Sequence, residues 1–333
     1  MKILLPIWKR NEEGMAAKSK LLEMLEQNRG IYLSGERLAE QLGVSRAAVW
    51  KAIKQLREEG YEIQAVTNKG YALAEQNDIL SAEAVRCFLE NQEVQVQVFQ
   101  EISSTSQVLK QMALENKLPH GSVVVANCQK QGKGRRGRQF YSPGNSGLYL
   151  SVLLYPQKTA GESLKITAAA AVAVCRAVEQ CCGKILGIKW VNDLYLDEKK
   201  VCGILTEAVT DFETGDIEFA VAGIGLNLYE PEGGFPKELE GKAGNMLRGD
   251  EHVDRNRLAG CIVNELLKEL DKNEIPKEYI ERNIVPGRWI FVRQGETSRR
   301  VKAERILEDG RLLVIREDGE KELLQSADVS LEL

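Results

Sequence analysis

The stretch from Ala126 to Gly147, ANCQKQGKGRRGRQFYSPGNSG, carries Lys130, Lys133, Arg135, Arg136 and Arg138 and no acidic residue. Gly132, Gly134, Gly137, Gly144 and Gly147 punctuate it. A glycine-rich backbone can approach an anion closely, and guanidinium forks bind phosphate-type oxygens in pairs. Cations held this close repel one another, so the spacing predicts a mobile loop that an anionic ligand orders. Gln129, Phe140 and Tyr141 set polar and aromatic groups among the charges. Two other readings compete. Gly132, Gly134 and Gly137 formally match the GxGxxG dinucleotide pattern, which ought to open a helix; here turn material follows. The second is a plain solvated basic loop. An anion-binding catalytic loop accounts for more of the residues than either.

Three further clusters can carry chemistry. Lys189-Trp190-Val191-Asn192-Asp193 suits either a pocket rim or a strand end capped by Asx turns. Lys200 opens the apolar run KKVCGIL, where it either aims a charge into a cleft or snorkels at a sheet edge. GIGLN, residues 223–227, runs through glycines to Asn227, as a strand end at a site or as a buried strand with a bulge.

These clusters need a scaffold. Apolar strand patterns fall at 94–100, 122–129, 147–155, 185–192, 200–209 and 218–228, and helical patterns at 105–115, 161–182 and 255–271. From Val285 the pattern changes to short strands, with Asp309-Gly310 and Asp318-Gly319 as hairpin turns. At the other end, residues 18–28 read as a helix with Leu21, Leu22 and Leu25 on one face. Ser34 caps a short helix that Gly43 ends. Ser45 caps the next, whose apolar stripe is Ala48, Val49, Ile53 and Leu56. That second helix holds Arg46, Lys51, Lys54 and Arg57 before its first acid, Glu58. Two short strands around Asn68-Lys69-Gly70 complete a winged helix-turn-helix, the pattern of a DNA-binding module; a solvated basic face beside an ordinary hairpin is the plainer alternative.

Composition bounds these readings. With 333 residues, two or three domains are expected. Net charge is −4, so a nucleic-acid site has to be a local basic patch. Two histidines make Ser-His-Asp chemistry and His-built metal sites improbable. The seven cysteines include no CxxC, so reduced thiols of a cytoplasmic protein are expected. ITAAAAVAV is about half of a membrane span and reads as a buried helix; no secretory signal or other membrane segment is expected. Helical periodicity starts only near Lys18, just after Met15, so residues 1–14 are expected to be disordered or an overlong start.

QKQGKGRRGRQFYSP, followed by KWVND, KKVCGIL and GIGLN, closely resembles the bacterial biotin protein ligases, and the helix-turn-helix ahead of them resembles the bifunctional type that also represses biotin operons. The resemblance covers nearly all of the chain from about residue 18. It implies a multidomain α+β protein: an extension over 1–17, a winged helix-turn-helix over 18–78, a mixed α/β ligase domain of class II synthetase type over 79–283, and a small SH3-like β-barrel over 284–333. The implied chemistry joins biotin to ATP as biotinyl-5′-AMP, with Mg²⁺, and passes biotin to a lysine of a biotin carboxyl carrier protein. Carried over position by position, Ser104, Thr105, Ser106, Gln129, Lys133, Gly134, Arg135, Lys200 and Gly203 would bind biotin, with Arg135 and Lys200 catalytic. Arg136, Arg138, Phe140, Asn192, Asp193 and Asn227 would bind ATP or the adenylate. Ser34, Ser45, Arg46, Ala47, Trp50, Lys51 and Lys54 would face operator DNA. The chain departs from the family pattern with Lys133 for Arg, Phe140 for Trp, Val191 for Pro and Ser106 for Asn; Lys133 lacks the bidentate fork and weakens the phosphate grip.

A coupling is implied as well. An adenylate that orders the arginine loop at a dimer surface would shift monomer to homodimer and present two recognition helices to a palindromic operator. Two other functions remain: a pure transcription factor sensing a small ligand, for which the cation loop has no use, and a related acyl-protein ligase such as a lipoate ligase, against which the helix-turn-helix and the GKGRRG loop argue.

Overall fold

The computed structural model describes residues 7–156, 162–210, 213, 216–294 and 297–331. The chain forms two compact units: residues up to Phe88 with Asp254–Gly260, and Leu89–Val253 with Cys261–Leu333.

In the first unit, α1 (Ile7–Glu26), α2 (Gly35–Leu42), α3 (Arg46–Glu58), β1 (Ile63–Val66), β2 (Gly70–Leu73) and α4 (Ala82–Arg86) follow in order. Leu21, Leu22 and Leu25 of α1 close a core with Leu38, Val49, Ile53, Leu56 and Leu73. Gly43 takes φ 65° between α2 and α3, and its N–H reaches back to α2 carbonyls, so a left-handed residue makes the tight turn. Ala48, expected in the α3 stripe, is exposed; Ala52 holds the inward place beside Val49 and Ile53. Helix α1 begins at Ile7, upstream of Leu21, Leu22 and Leu25, through a segment whose Glu, Ala and Lys favour helix. The extension expected over 1–17 is therefore helical from Ile7, and residues 1–6 lie outside the described residues.

The second unit is built on β3 (Val96–Phe99), α5 (Thr105–Glu115), β4 (Val123–Ala126), β5 (Gly147–Leu154), α6 (Glu162–Cys182), β6 (Gly187–Lys189), β7 (Asp193–Leu196), β8 (Lys199–Thr210) and β9 (Ile217–Asn227), then α7 (Arg255–Asp271) and α8 (Lys277–Glu281). Among the described residues its strands run in the order β3-β4-β5-β9-β8-β7-β6, with β3 and β4 parallel and the other pairs antiparallel. The expected strand at 185–192 stops at Lys189; Asp193 begins β7, which the sequence reading missed, and Asp197 and Glu198 turn it into β8 with positive φ. Helix α6, containing the ITAAAAVAV run, buries Ala168 through Cys175. Its Thr167 hydroxyl meets Thr206 of β8 at 2.8 Å. From β8, Glu207 points the other way, to Lys110 of α5 at 2.7 Å. Since neighbouring strand residues alternate between faces, α6 covers one face of the sheet and α5 part of the other.

Five strands complete the chain: β10 (Trp289–Gln294), β11 (Thr297–Ile306), β12 (Leu312–Ile315), β13 (Lys321–Leu324) and β14 (Asp328–Leu331). They form an antiparallel sheet ordered β13-β12-β11-β10-β14. Gly310 and Gly319 adopt positive φ in its hairpin turns, as Asp-Gly pairs require. The buried Trp190 indole donates to the Gly310 carbonyl at 2.9 Å, tying the β6–β7 turn to this sheet.

Candidate functional site

Several of the expected site residues gather on the face of the sheet that carries α5. Strand register sets Lys189 opposite Asp193, Asp193 opposite Gly203, Gly203 opposite Gly225 and Gly225 opposite Tyr149, in one transverse row. Residues paired in this way share a face. The two glycines make a shallow floor, and the Phe140 ring fills it. A Cβ on Gly225 would come within 2.5 Å of Phe140 Cε1, and one on Gly203 within 3.0 Å of Cε2. Phe140 also meets Tyr149 edge-on, at 6.4 Å between centroids. Lys200 Nζ lies against Gly203 and pairs with Asp193 at 2.6 Å. Burial lowers the pKa of Lys189 from its ordinary value, with Asp193 opposing, and its ammonium lies over the Tyr195 ring at 5.3 Å.

Beside that row is a polar cluster. Gln129 Oε1 accepts from Thr105 N at 2.9 Å and Thr105 Oγ1 at 3.1 Å, while its Nε2 donates to Ser142 Oγ at 3.0 Å. Ser151 of β5 bonds both Thr105 Oγ1 and Ser106 Oγ, at 2.8 and 3.0 Å. Gly223 makes room for this: a Cβ there would stand 2.6 Å from Ser106 Oγ. Ser104 is buried at the start of α5 and makes no side-chain cap bond.

The arginine loop borders both clusters. Its stem is closed by Phe140 N to Gly132 O at 2.8 Å and Gly134 N to Arg138 O at 2.7 Å. Gly132 allows that closure, because a Cβ would lie 2.4 Å from Phe140 O. Arg135 donates to Asn192 Oδ1 at 3.1 Å, to Ser326 Oγ at 2.5 Å and to the Ala327 carbonyl at 3.4 Å. Burial pulls its pKa below the usual guanidinium value; Asp328 opposes that shift. Arg136 and Arg138 both reach Asp328 Oδ2, at 3.4 and 2.5 Å. The loop thus meets the C-terminal sheet, where a carboxylate far away in sequence supplies the counter-charge its own residues lack. Lys133 is exposed, its backbone bridged to Gln139. Asn227 spends its amide on Gly244 O at 3.1 Å, and Asn192 on Ile204 O at 2.8 Å.

Gly223 and Gly225 were named only within the glycine run of GIGLN and given no role of their own, and Ser142, Ser151, Tyr149, Ser326 and Asp328 were not singled out from the sequence. The i, i+2 spacing of Gly223 and Gly225 within GIGLN was a usable signal for two of them; nothing local marks the rest.

In the first unit, the Ser34 hydroxyl accepts from Arg37 N at 3.1 Å and the Ser45 hydroxyl from Ala48 N at 3.2 Å, so both are helix caps. Arg46, Ala47, Trp50, Lys51 and Lys54 are exposed on α3, with Trp50 at 59%. Lys54 stands 3.8 Å from Glu58, and Arg57 turns away to the Ile63 carbonyl at 2.9 Å. What remains outward is a short basic face with an unburied indole. Among the described residues, no helix is long and apolar enough to cross a membrane.

Comparison with known proteins gives two family matches: an HTH domain over residues 18–72 and the Biotin/lipoate A/B protein ligase family over residues 98–227. The Bifunctional ligase/repressor BirA of Bacillus subtilis (strain 168) is 34% identical over 252 residues, 75% of this chain and 76% of its own. That of Escherichia coli (strain K12) is 32% identical over 257 residues, 76% of either chain. Among solved structures, the biotin protein ligase from Aquifex aeolicus in complex with biotin and ATP superposes with TM-score 0.60 at 26% identity, covering 72% of this chain and 98% of that one.

Proposed function

The chain belongs to the bifunctional ligase/repressor family of biotin protein ligases, and from that membership we propose that it attaches biotin to carrier proteins through biotinyl-5′-AMP and represses transcription through its N-terminal unit. The carboxylate of biotin attacks the α-phosphorus of ATP; the new C–O–P linkage forms as pyrophosphate leaves. The amine of a carrier lysine then attacks the acyl carbon, an amide forms, and AMP leaves with the bonding pair.

The observation that supports this reading is the convergence of Lys200, Arg135 and the capped glycine floor. Charge develops on phosphoryl oxygens in the first step, and fixed cations in a partly buried site stabilise it. Lys200 and Arg135 are the catalytic cations of the proposal. Thr105, Ser106, Gln129 and Gly203 take biotin, with Ser104, Lys133 and Gly134 at its margin. Arg136, Arg138, Phe140, Asn192, Asp193 and Asn227 serve the nucleotide side. No nucleophilic side chain is required, in keeping with a chain that has two histidines.

Mg²⁺ fits as a passenger on the triphosphate. Among the described residues no group of three or more His, Cys, Asp or Glu could hold a metal, while Mg²⁺ commonly binds through substrate phosphates, water and one carboxylate, a part that Asp193 would take. When bound, it neutralises phosphate charge.

The repressor half rests on α3, whose exposed Arg46, Lys51 and Lys54 suit phosphates and base edges. Biotinyl-5′-AMP would act as corepressor by promoting a homodimer with two such helices. Incubation with ATP, biotin and a biotin carboxyl carrier protein domain, read by the carrier's mass, tests the ligase half. A biotin adduct is expected; pyrophosphate release driven by lipoate but not by biotin would overturn it. Sedimentation with and without biotin plus ATP tests the dimer, and an unchanged mass at micromolar protein would refute it.

A further inference from the structure

We infer that Cys181 and Cys261 form a redox-responsive pair, which a peroxide closes into a disulfide that fastens the last turn of α6 to α7. The inference stands apart from the ligase reading and uses none of its residues. Cys181 lies one residue before the end of α6, and Cys261 lies inside α7. They are 80 positions apart in the chain, yet their sulfurs stand 3.8 Å apart. Both are free thiols of intermediate exposure, as a site open to a small oxidant requires. The sulfurs have to close from 3.8 Å to the roughly 2.05 Å of a disulfide. The end of α6 can take up that movement: Gly183 leaves the helix at φ 64°, and the last turn of a helix yields more easily than its middle.

Neighbouring thiols compete poorly. Cys175 and Cys202 are buried, which pushes the first up to about 12 and the second well above the usual thiol range. Cys182 follows Cys181 directly, but one residue turns a helix by about 100°, so it faces another way. Burial pushes its thiol up to about 11, which leaves little thiolate at neutral pH. A metal reading of the pair lacks ligands: among the described residues no group of three or more His, Cys, Asp or Glu could hold an ion. In the proposed step one thiolate attacks a peroxide oxygen. The O–O bond breaks, hydroxide leaves and is protonated to water, and a sulfenic acid remains. The second thiolate attacks that sulfur; the S–S bond forms, the S–O bond breaks and a second water leaves. Two thiols lose two hydrogens and two electrons, and the peroxide is reduced to two waters. The chain between the two sulfurs carries β6 to β9, so the bridge closes a long loop of the unfolded chain and stabilises the second unit.

The test uses the full chain, reduced, freed of reductant, treated with hydrogen peroxide, alkylated and digested with trypsin under non-reducing conditions. The expected product is residues 177–184 joined to residues 258–268, with an intact mass lower by two hydrogens and both changes reversed by dithiothreitol. Because the first peptide also holds Cys182, variants separate the neighbours. Cys182→Ser should keep the link, whereas Cys181→Ser and Cys261→Ser should each abolish it. Oxidation should raise the Tm of the wild type by roughly 5–10 °C and leave that of Cys261→Ser where it was. Cys261→Ala takes its place should Cys261→Ser fold poorly. A link that persists in Cys181→Ser, links only between separate chains, or full alkylation of both thiols after peroxide would overturn the pair. A linked chain with an unchanged Tm would overturn the fastening of α6 to α7.

Discussion

At the scale of single residues, Arg135 differs from its neighbours in its partners. All three arginines are equivalent in sequence, yet one is partly buried among neutral groups and two are balanced by a carboxylate. A charge-assisted hydrogen bond from a partly buried guanidinium is worth roughly 1.5–3 kcal/mol. Arg135→Ala is therefore expected to release biotinyl-AMP about ten-fold or more faster, measured as dissociation of the labelled intermediate. Wild-type dissociation would remove Arg135 from the site. The cation-rich loop was legible from composition alone; how its arginines are partnered was not, because the partners lie at Ser326, Ala327 and Asp328.

At the scale of elements, the floor depends on strand register. Gly203 and Gly225 are paired across β8 and β9, and a methyl group at Gly225 would enter the Phe140 ring. Gly225→Ala has no positive φ to strain, so it is expected to cost little stability while lifting Phe140 off the floor. The check is a Tm close to wild type combined with at least a several-fold loss of adenylation. Equal activity would show that the ring position is incidental. Helix α3 makes a separate prediction. Lys51 is exposed and the register of α3 is fixed by Val49, Ile53 and Leu56 in the core. Lys51→Ala should weaken operator binding across sequences and reduce the log–log salt slope by about 0.9 if it contacts one phosphate. An unaltered slope would take Lys51 off the DNA backbone. The two helices and the hairpin were readable from Ser34, Gly43, Ser45 and the Asn68–Gly70 turn, since caps and turns are local; the inward place of Ala52 rather than Ala48 was a matter of helix phase.

At the scale of the whole molecule, the described residues fall into two compact units. The N-terminal core closes on its own leucines, and the ligase sheet has its own buried strands and helices. Deleting residues 1–74 is therefore expected to leave measurable biotin-dependent pyrophosphate release and to abolish specific DNA binding. Complete loss of pyrophosphate release from a folded truncated chain would show that the ligase reaction needs the first unit. The bond from Arg255 Nε to Asp78 Oδ2, at 2.8 Å, survives that cut.

What the sequence determined by itself was whatever is encoded within a few residues: the amphipathic faces, the caps, the Asp-Gly turns, the basic loop and the motifs that mark the family. Tertiary structure decided what depends on residues far apart in the chain. Register aligned Lys189, Asp193, Gly203, Gly225 and Tyr149 in one row, and the C-terminal sheet brought Ser326 and Asp328 to arginines near residue 136. The physical reason is that propensity and periodicity act along the chain, whereas counter-charge and close packing act through space.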